Sequence, residues 1–286
     1  MKRGFILKLN FTKMHGCGND YIYFDCIRGP EIEDPGKLSL KLSNRRYGVG
    51  SDGVILICKS DVADAKMRMF NADSSEGKMC GNGIRCVGKY LFDNHLVESE
   101  TIKIETLSGI KTLYVNSENG KASSITVDMG RAVLSPECIP VSISEKKIIN
   151  YPFNIDGTEY RINCVSMGNP HCVVFCDDIE SLDVENLGPT FENAKIFPEK
   201  INTEFIKVIN RKTLCMRVFE RGSGETFACG TGACAAVVMA VENGFCDKNE
   251  DVLVHLKGGD LVVKYTDETV FMTGPAEVVF HGEVEV

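Results

Sequence analysis

Two cysteines in this chain each stand directly ahead of a Gly-x-Gly. Cys80 lies in "MRMFNADSSEGKMCGNGIRC" (67–86) and Cys229 in "MRVFERGSGETFACGTGACA" (216–235). Met67/Met216, Arg68/Arg217, Phe70/Phe219, Ser74/Ser223 and Glu76/Glu225 keep one register between the two stretches. In both, a strand-like run leads through a polar loop to the cysteine, and apolar residues at helical spacing follow ("IRCVGKYLFDNHLV", "ACAAVVMAVENGF"). Each cysteine is therefore expected at a helix N-terminus. Unpaired backbone N–H groups there favour negative charge, lower a thiol pKa and hold a carboxylate. One activated thiol would suggest a nucleophile. Two matched thiols facing a cleft between similar halves suggest an acid and a base on opposite faces of one carbon, which inverts a stereocentre.

The elements that must position these thiols repeat as well. "GND" (18–20) faces "GNP" (168–170), "LSGIKTLYV" (107–115) faces "LKGGDLVVKY" (256–265), and "VDMGRAVL" (127–134) faces "FMTGPAEV" (271–278). Such self-similarity over half a chain reads as a duplicated domain. Strand-like runs such as "YIYFDCI", "VILICKS", "CVVFCD" and "DLVVKY" are frequent in both halves. Each half thus reads as many strands around one long helix, an α+β fold, and "NSENGKAS" (116–123) offers a boundary or long turn.

At 286 residues the chain can hold two domains with a core each. A net charge of −8 with no dense basic run argues against nucleic acid or an anionic membrane and leaves a small-molecule or protein partner. No apolar run is long enough to span a membrane, and Lys8 interrupts the early apolar stretch, against a signal peptide. Thirteen scattered cysteines, without the C-x2-C spacing of a zinc site, fit a reduced cytoplasmic protein that needs no metal. Most of them, Cys86 and Cys234 included, read as small buried hydrophobes. No lysine lies in a motif suggesting a pyridoxal Schiff base. "GVGSDG" (48–53) and "GTGACA" (230–235) formally match a dinucleotide fingerprint, but the first has its helix and strand in the wrong order. The second lacks the preceding strand and the later acidic residue.

"MHGCGNDYIYFD" (14–25), "RRYGVGSDGVI" (45–55), "FNADSSEGKMCGNGIRC" (70–86), "MGNPHCVVF" (167–175) and "ERGSGETFACGTGACA" (220–235) together resemble the diaminopimelate epimerase family, in order and across essentially the whole chain. The resemblance implies cofactor-independent interconversion of LL- and meso-diaminopimelate, for lysine and peptidoglycan precursors, by a homodimer. It implies two similar domains, each a β-barrel-like mixed sheet on a central helix, with the site in the cleft between them. The halves would be 1–123 plus 275–286, carrying Cys80, and 124–274, carrying Cys229. Strands near 124–134 and 275–286 would cross into the opposite domain.

Carried over by position, Cys80 and Cys229 become the two acid/base thiols. Gly81 with Asn82, and Gly230 with Thr231, offer backbone N–H groups to the reacting carboxylate. Asn19, Asn71, Asn169, Asn202, Glu220 and Arg221 match positions that bind substrate, chiefly its distal amino-acid end. Gly53 stands where many relatives have Gln. Asn19 and Asn169 also read as turn residues after glycine, Glu220 and Arg221 as a strand-end ion pair, and His171 either lines the site or makes a structural hydrogen bond. Two further readings remain open. One is a racemase of the same fold acting on another amino acid, and the other is a binding protein that keeps the fold without the chemistry.

Overall fold

A computed structural model describes residues 8–155 and 157–285. The chain divides into two compact units, one running to Val127 and resuming at Pro275, the other Asp128–Gly274. In the first unit the order is β1 (Lys8–Gly16), β2 (Asn19–Asp25), α1 (Pro35–Leu42), β3 (Gly53–Cys58), β4 (Ala65–Asn71), β5 (Glu76–Gly77), α2 (Gly81–Asp93), β6 (Thr101–Thr106), β7 (Gly109–Glu118) and β8 (Lys121–Gly130). After β9 (Tyr151–Ile155) the second unit repeats it: β10 (Thr158–Ser166), β11 (Pro170–Phe175), α3 (Val184–Glu192), β12 (Asn202–Asn210), β13 (Thr213–Glu220), β14 (Gly224–Glu225), α4 (Gly230–Glu242), β15 (Asp251–Leu256), β16 (Gly259–Tyr265) and β17 (Val270–Gly274). The last strand, β18 (Glu277–Glu285), pairs antiparallel with β1.

The pairings repeat with the elements. β1 and β2 are antiparallel, β2 and β3 parallel, β3 and β4 antiparallel, and β4 and β6 parallel. β10 to β15 follow the same sequence of antiparallel and parallel neighbours. The duplicated mixed-sheet architecture is thus present at the level of register, not only of sequence. The innermost strands show why: "GVILIC" of β3 and "PHCVVF" of β11 are buried along nearly their whole length, as continuous apolar runs must be when both faces are covered.

Each unit wraps its strands on one helix. α4 is buried from Gly232 to Met239 and on to Ala240, and packs against β10, β11, β12, β13, β16 and β17. A helix apolar on all sides is stable only when enclosed. α2 packs on β1, β2 and β7, and encloses Arg85, whose guanidinium donates from Nε to the Pro275 carbonyl (3.1 Å) and from Nη1 to the Gly81 carbonyl (3.2 Å). Cys86 and Cys234 are fully buried packing residues in these helices.

The run at 116–123 is a hairpin turn between β7 and β8, with Asn119 and Gly120 at φ 52° and 75°, the left-handed pair of a type I′ turn. The passage between units instead falls at Val127/Asp128, inside β8. No helix among the described residues is long and apolar enough to cross a membrane.

Candidate active site

Cys80 and Cys229 are the N-cap residues of α2 and α4. Both are extended, at φ −129°, ψ 120° and φ −117°, ψ 111°. Sulfur takes the role usually filled by a Ser or Asp oxygen: Cys80 Sγ accepts from Gly83 N–H at 3.3 Å, and Cys229 Sγ from Gly232 N–H at 3.4 Å. The cysteine carbonyls accept the first helical bonds, from Ile84 and Ala233. Gly81 and Asn82 in α2, and Gly230 and Thr231 in α4, are first-turn residues whose N–H groups have no intrahelical acceptor.

Around Cys80 the partners are amide and carboxylate. Its thiol donates to Asn19 Oδ1 (3.2 Å), while Asn19 Nδ2 donates to Asp52 Oδ2 (2.7 Å). Asp52 also accepts from the Asp20 N–H (3.1 Å) and pairs with Arg45 (2.9 Å), which bridges to Asp20 (2.7 Å); Lys13 closes the network on Asp20. Burial opposes the charge on Asp20, but hydrogen bonds from Arg45 and Lys13 outweigh it and hold the pKa below the ordinary value. Asp52 goes the other way. Burial, then the Asp20 charge, raise its pKa against the N–H donors and Arg45.

Asn71 donates from Nδ2 to Ser75 Oγ (3.0 Å) in the loop ahead of α2. Gly53 admits no side chain: a Cβ there would stand 2.2 Å from the Phe70 carbonyl oxygen and 2.8 Å from Cε1 of Tyr21. The Tyr21 ring occupies the space that a side chain at 53 would need.

Around Cys229 the partners are ionisable. Thr231 Oγ1 lies 3.5 Å from its sulfur. Asn169 Nδ2 donates to that hydroxyl (3.2 Å), and Asn169 Oδ1 meets His171 Nε2 (3.0 Å). His171 Nδ1 stands 2.7 Å from Glu204 Oε1, with both side chains fully buried. His171 is therefore both at the site and structurally bonded.

Glu220 accepts from the Thr226 hydroxyl and shares a hydrogen bond with Cys229; burial raises its pKa, partly offset by those bonds. Arg221 points elsewhere, donating from Nη1 to the Glu199 carbonyl (2.9 Å), so Glu220 and Arg221 are not a strand-end ion pair. Asn202 lies between them and the turn before β11. Its Nδ2 donates to the Pro170 carbonyl (2.8 Å) and its Oδ1 accepts from the Arg221 N–H (3.0 Å).

The helix start does not give Cys229 the lowered pKa expected from sequence. Burial, then the charges of Glu220 and Glu204, push it well above the ordinary thiol value, against the Thr231 hydroxyl and the Gly232 N–H. Two carboxylates and a dry site outweigh a half-charge of helix dipole. Asp52, Glu204 and Thr226 were not singled out from the sequence. Only Asp52 carried a signal, as the charged residue within "GVGSDG".

The fingerprint-like "GVGSDG" (48–53) lies in the loop after α1 and ends on the first residue of β3, and so does not open a helix. Among the described residues no group of three or more His, Cys, Asp and Glu is arranged to hold a metal ion.

A sequence model of the diaminopimelate epimerase family matches residues 11–135 and 163–279, which include both thiols and their helix starts. The chain belongs to the diaminopimelate epimerase family. Its relatives include the diaminopimelate epimerases of Acetivibrio thermocellus, 49% identical over 97% of this chain and 99% of that protein, and of Methanococcus maripaludis, 48% identical over 97% and 100%. Family members are isomerases, and this chain is one. The fold extends to distant solved structures, such as a hydroxyproline epimerase from Agrobacterium vitis at TM-score 0.68 and 12% identity, covering 97% of this chain and 91% of that one. At that identity the likeness concerns the fold alone.

Proposed function

We propose that this chain interconverts LL- and meso-2,6-diaminopimelate without a cofactor, by proton transfer between the substrate α-carbon and the thiols Cys80 and Cys229. The observation that carries the mechanism is the pair of N-capping sulfurs, each at the start of a helix whose first-turn N–H groups have no acceptor within the helix itself. One sulfur, as thiolate, removes the α-proton from one face. Charge then grows on the carboxylate, and aligned N–H groups of Gly81–Asn82 and Gly230–Thr231 stabilise it most where it is greatest. The other sulfur delivers a proton to the opposite face, and the reverse reaction exchanges the roles.

The surroundings of the two sulfurs divide the labour. Burial and carboxylates favour the protonated form of Cys229. The distal amino-acid end is assigned to Asn71, Asn169, Asn202 and Arg221, with Arg221 offering a fork for the second carboxylate. Glu220, turned to Cys229 and Thr226, serves the thiol rather than the distal ammonium. The enzyme would act in the cytoplasm, in lysine and peptidoglycan precursor synthesis. It would act as a homodimer, for which Val278, Val279 and Phe280, exposed along β18, provide an apolar strip.

The test is incubation with LL-diaminopimelate in heavy water, after exhaustive dialysis against chelator, with the α-proton followed by NMR. Deuterium entering one α-position while meso product accumulates is the expected result, with Cys80→Ser and Cys229→Ser both inactive in epimerisation. Activity that vanishes on dialysis and returns with pyridoxal phosphate or a metal would refute the mechanism, and preferential turnover of a monocarboxylic amino acid would refute the substrate.

A further inference from the structure

The two halves differ at one buried place beneath the helix starts. A Cβ on Gly83 of α2 would meet Cδ1 of Ile55 at 2.7 Å, and a Cβ on Gly232 of α4 would meet Oε1 of Glu204 at the same distance. Ile55 of β3 stands beside Tyr23 of β2, and Glu204 of β12 beside Val173 of β11, so the two residues hold equivalent register positions. Where one half puts a methyl group the other puts a carboxylate. Tyr21 likewise occupies the position of His171, since Tyr21 stands beside Gly53 as His171 stands beside Asn202.

A fully buried carboxylate is costly unless its lone pairs are satisfied. Glu204 Oε1 has His171, yet Oε2 is buried with no hydrogen-bond partner. An apolar residue would be the better choice for stability alone, and the first half has one. What Glu204 gains is a continuous polar chain: Glu204 Oε1 to His171 Nδ1 (2.7 Å), His171 Nε2 to Asn169 (3.0 Å), Asn169 to Thr231 Oγ1 (3.2 Å), and Thr231 Oγ1 to Cys229 Sγ (3.5 Å).

We infer that Glu204 is a positioning residue for Cys229, acting through His171, Asn169 and Thr231 to fix the hydroxyl that contacts the reacting sulfur. A carboxylate can only accept, so His171 donates to Glu204 from Nδ1, and because Asn169 Oδ1 also only accepts, Nε2 donates to it in turn: the ring is held by N–H groups between two acceptors. That fixes the ring, and the ring fixes the amide and then the hydroxyl. The Glu204 charge also acts on the thiol. Cys229 is acted on by Glu220 of β13, Glu204 of β12, and the Thr231 hydroxyl and Gly232 N–H of α4, while His171 of β11 reaches it only through Asn169 and Thr231. Glu204 is one of the two carboxylates that raise its pKa. Removing that negative charge therefore moves the Cys229 pKa down.

The inference rests on the two-thiol reading of this site, but its test does not need turnover. In wild-type protein, long-range nitrogen–proton NMR should show a proton on Nδ1 of His171. In Glu204→Gln, which keeps the shape and removes the charge, mass-resolved alkylation should find Cys229 about tenfold more reactive near pH 8, while Cys80 changes by less than about twofold. With diaminopimelate, kcat should fall by about tenfold or more while KM stays within about twofold. An unprotonated Nδ1 in the wild type, or a Cys229 alkylation profile unchanged in the variant, would overturn the role of Glu204. Inactivity of the wild type on diaminopimelate alongside the expected alkylation shift would count against the substrate and leave the positioning role standing.

Discussion

Replacing Asp52 by Asn should disable Cys80 from a distance, because Asp52 touches the sulfur only through Asn19. The carboxylate accepts from Asn19 Nδ2 at 2.7 Å and from the Asp20 N–H at 3.1 Å, which turns Asn19 Oδ1 toward the thiol. Both donors converge on Oδ2 while Oδ1 meets Arg45, so an amide at 52 must either hold the two N–H groups with an uncharged oxygen and set its NH2 against Arg45, or turn its NH2 against both donors. The loss is about one charge-assisted hydrogen bond, ~1.5–3 kcal/mol, or roughly 10- to 150-fold if it falls wholly on the transition state. The Arg45 contact adds little, since Arg45 is 59% exposed and such pairs contribute about 0–1 kcal/mol. Stability should move less than activity. The substitution also removes the repulsion between Asp20 and Asp52 that helps raise the Asp52 pKa, so we expect a Tm within about 4 °C of wild type. The assay is α-proton exchange in heavy water together with thermal unfolding, on Asp52→Asn, Asn19→Ala and the double variant. Because Asp52 acts through Asn19, the double variant should lose little more than Asn19→Ala alone. Additive losses, or a single variant within threefold of wild-type kcat/KM, would refute the reasoning.

The raised pKa of Glu220 means that its ionisation costs stability as pH rises from the ordinary 4.5 through the folded-state value. Glu220→Gln should therefore raise Tm relative to wild type at pH 8, with the difference fading below pH 4.5, while kcat falls; an equal Tm offset at both pH values would contradict this. Arg221→Lys should reduce kcat/KM for diaminopimelate by about 30- to 1000-fold with both thiols still alkylated at wild-type rates, and near wild-type efficiency would remove Arg221 from the distal site. Two disulfides are expected on oxidation, with different consequences. Cys26 follows Asp25 and Cys58 follows Ile57 in the parallel register of β2 and β3, and a hydrogen bond from Cys26, then the charges of Arg68 and Lys66, lower the Cys58 pKa against burial. Peroxide should join Cys26 to Cys58 without loss of activity, whereas a Cys80–Cys229 bond should inactivate reversibly and be prevented by substrate; peptide mapping of oxidised, inactive protein with Cys80 and Cys229 both free would reject the second part.

Elements whose cause is local were readable from sequence. The helix starts at Cys80 and Cys229 follow from Gly-x-Gly and the apolar spacing behind it, and the Asn119-Gly120 turn from its dipeptide. α3 was not readable. "VENLGPTFE" carries Gly188 and Pro189 inside the helix, and propensity speaks against both. Packing explains at least the first: a Cβ at Gly188 would stand 2.1 Å from the Phe219 ring, while Phe191 is fully buried in the core of that unit. Tertiary contact overrides local preference there, and no window of neighbouring residues shows it.

By itself the sequence determined the duplication, the mixed strand-and-helix class, the family and the location of both sulfurs, because each of these is written as spacing within a short stretch or as the repeat of one. Only the tertiary structure decided the state of those sulfurs. Parallel pairing of β2 with β3 and of β11 with β12 brings Asp52 to Asn19, and Glu204 to His171, each across 33 residues of chain. It sets a carboxylate under one helix start and a methyl group under the other. The thiol pKa depends on burial and on charges a few ångströms away, which are sums over space rather than along the chain. The same four-residue signature, Cys-Gly-x-Gly, therefore caps two helices alike and leaves their sulfurs in different surroundings.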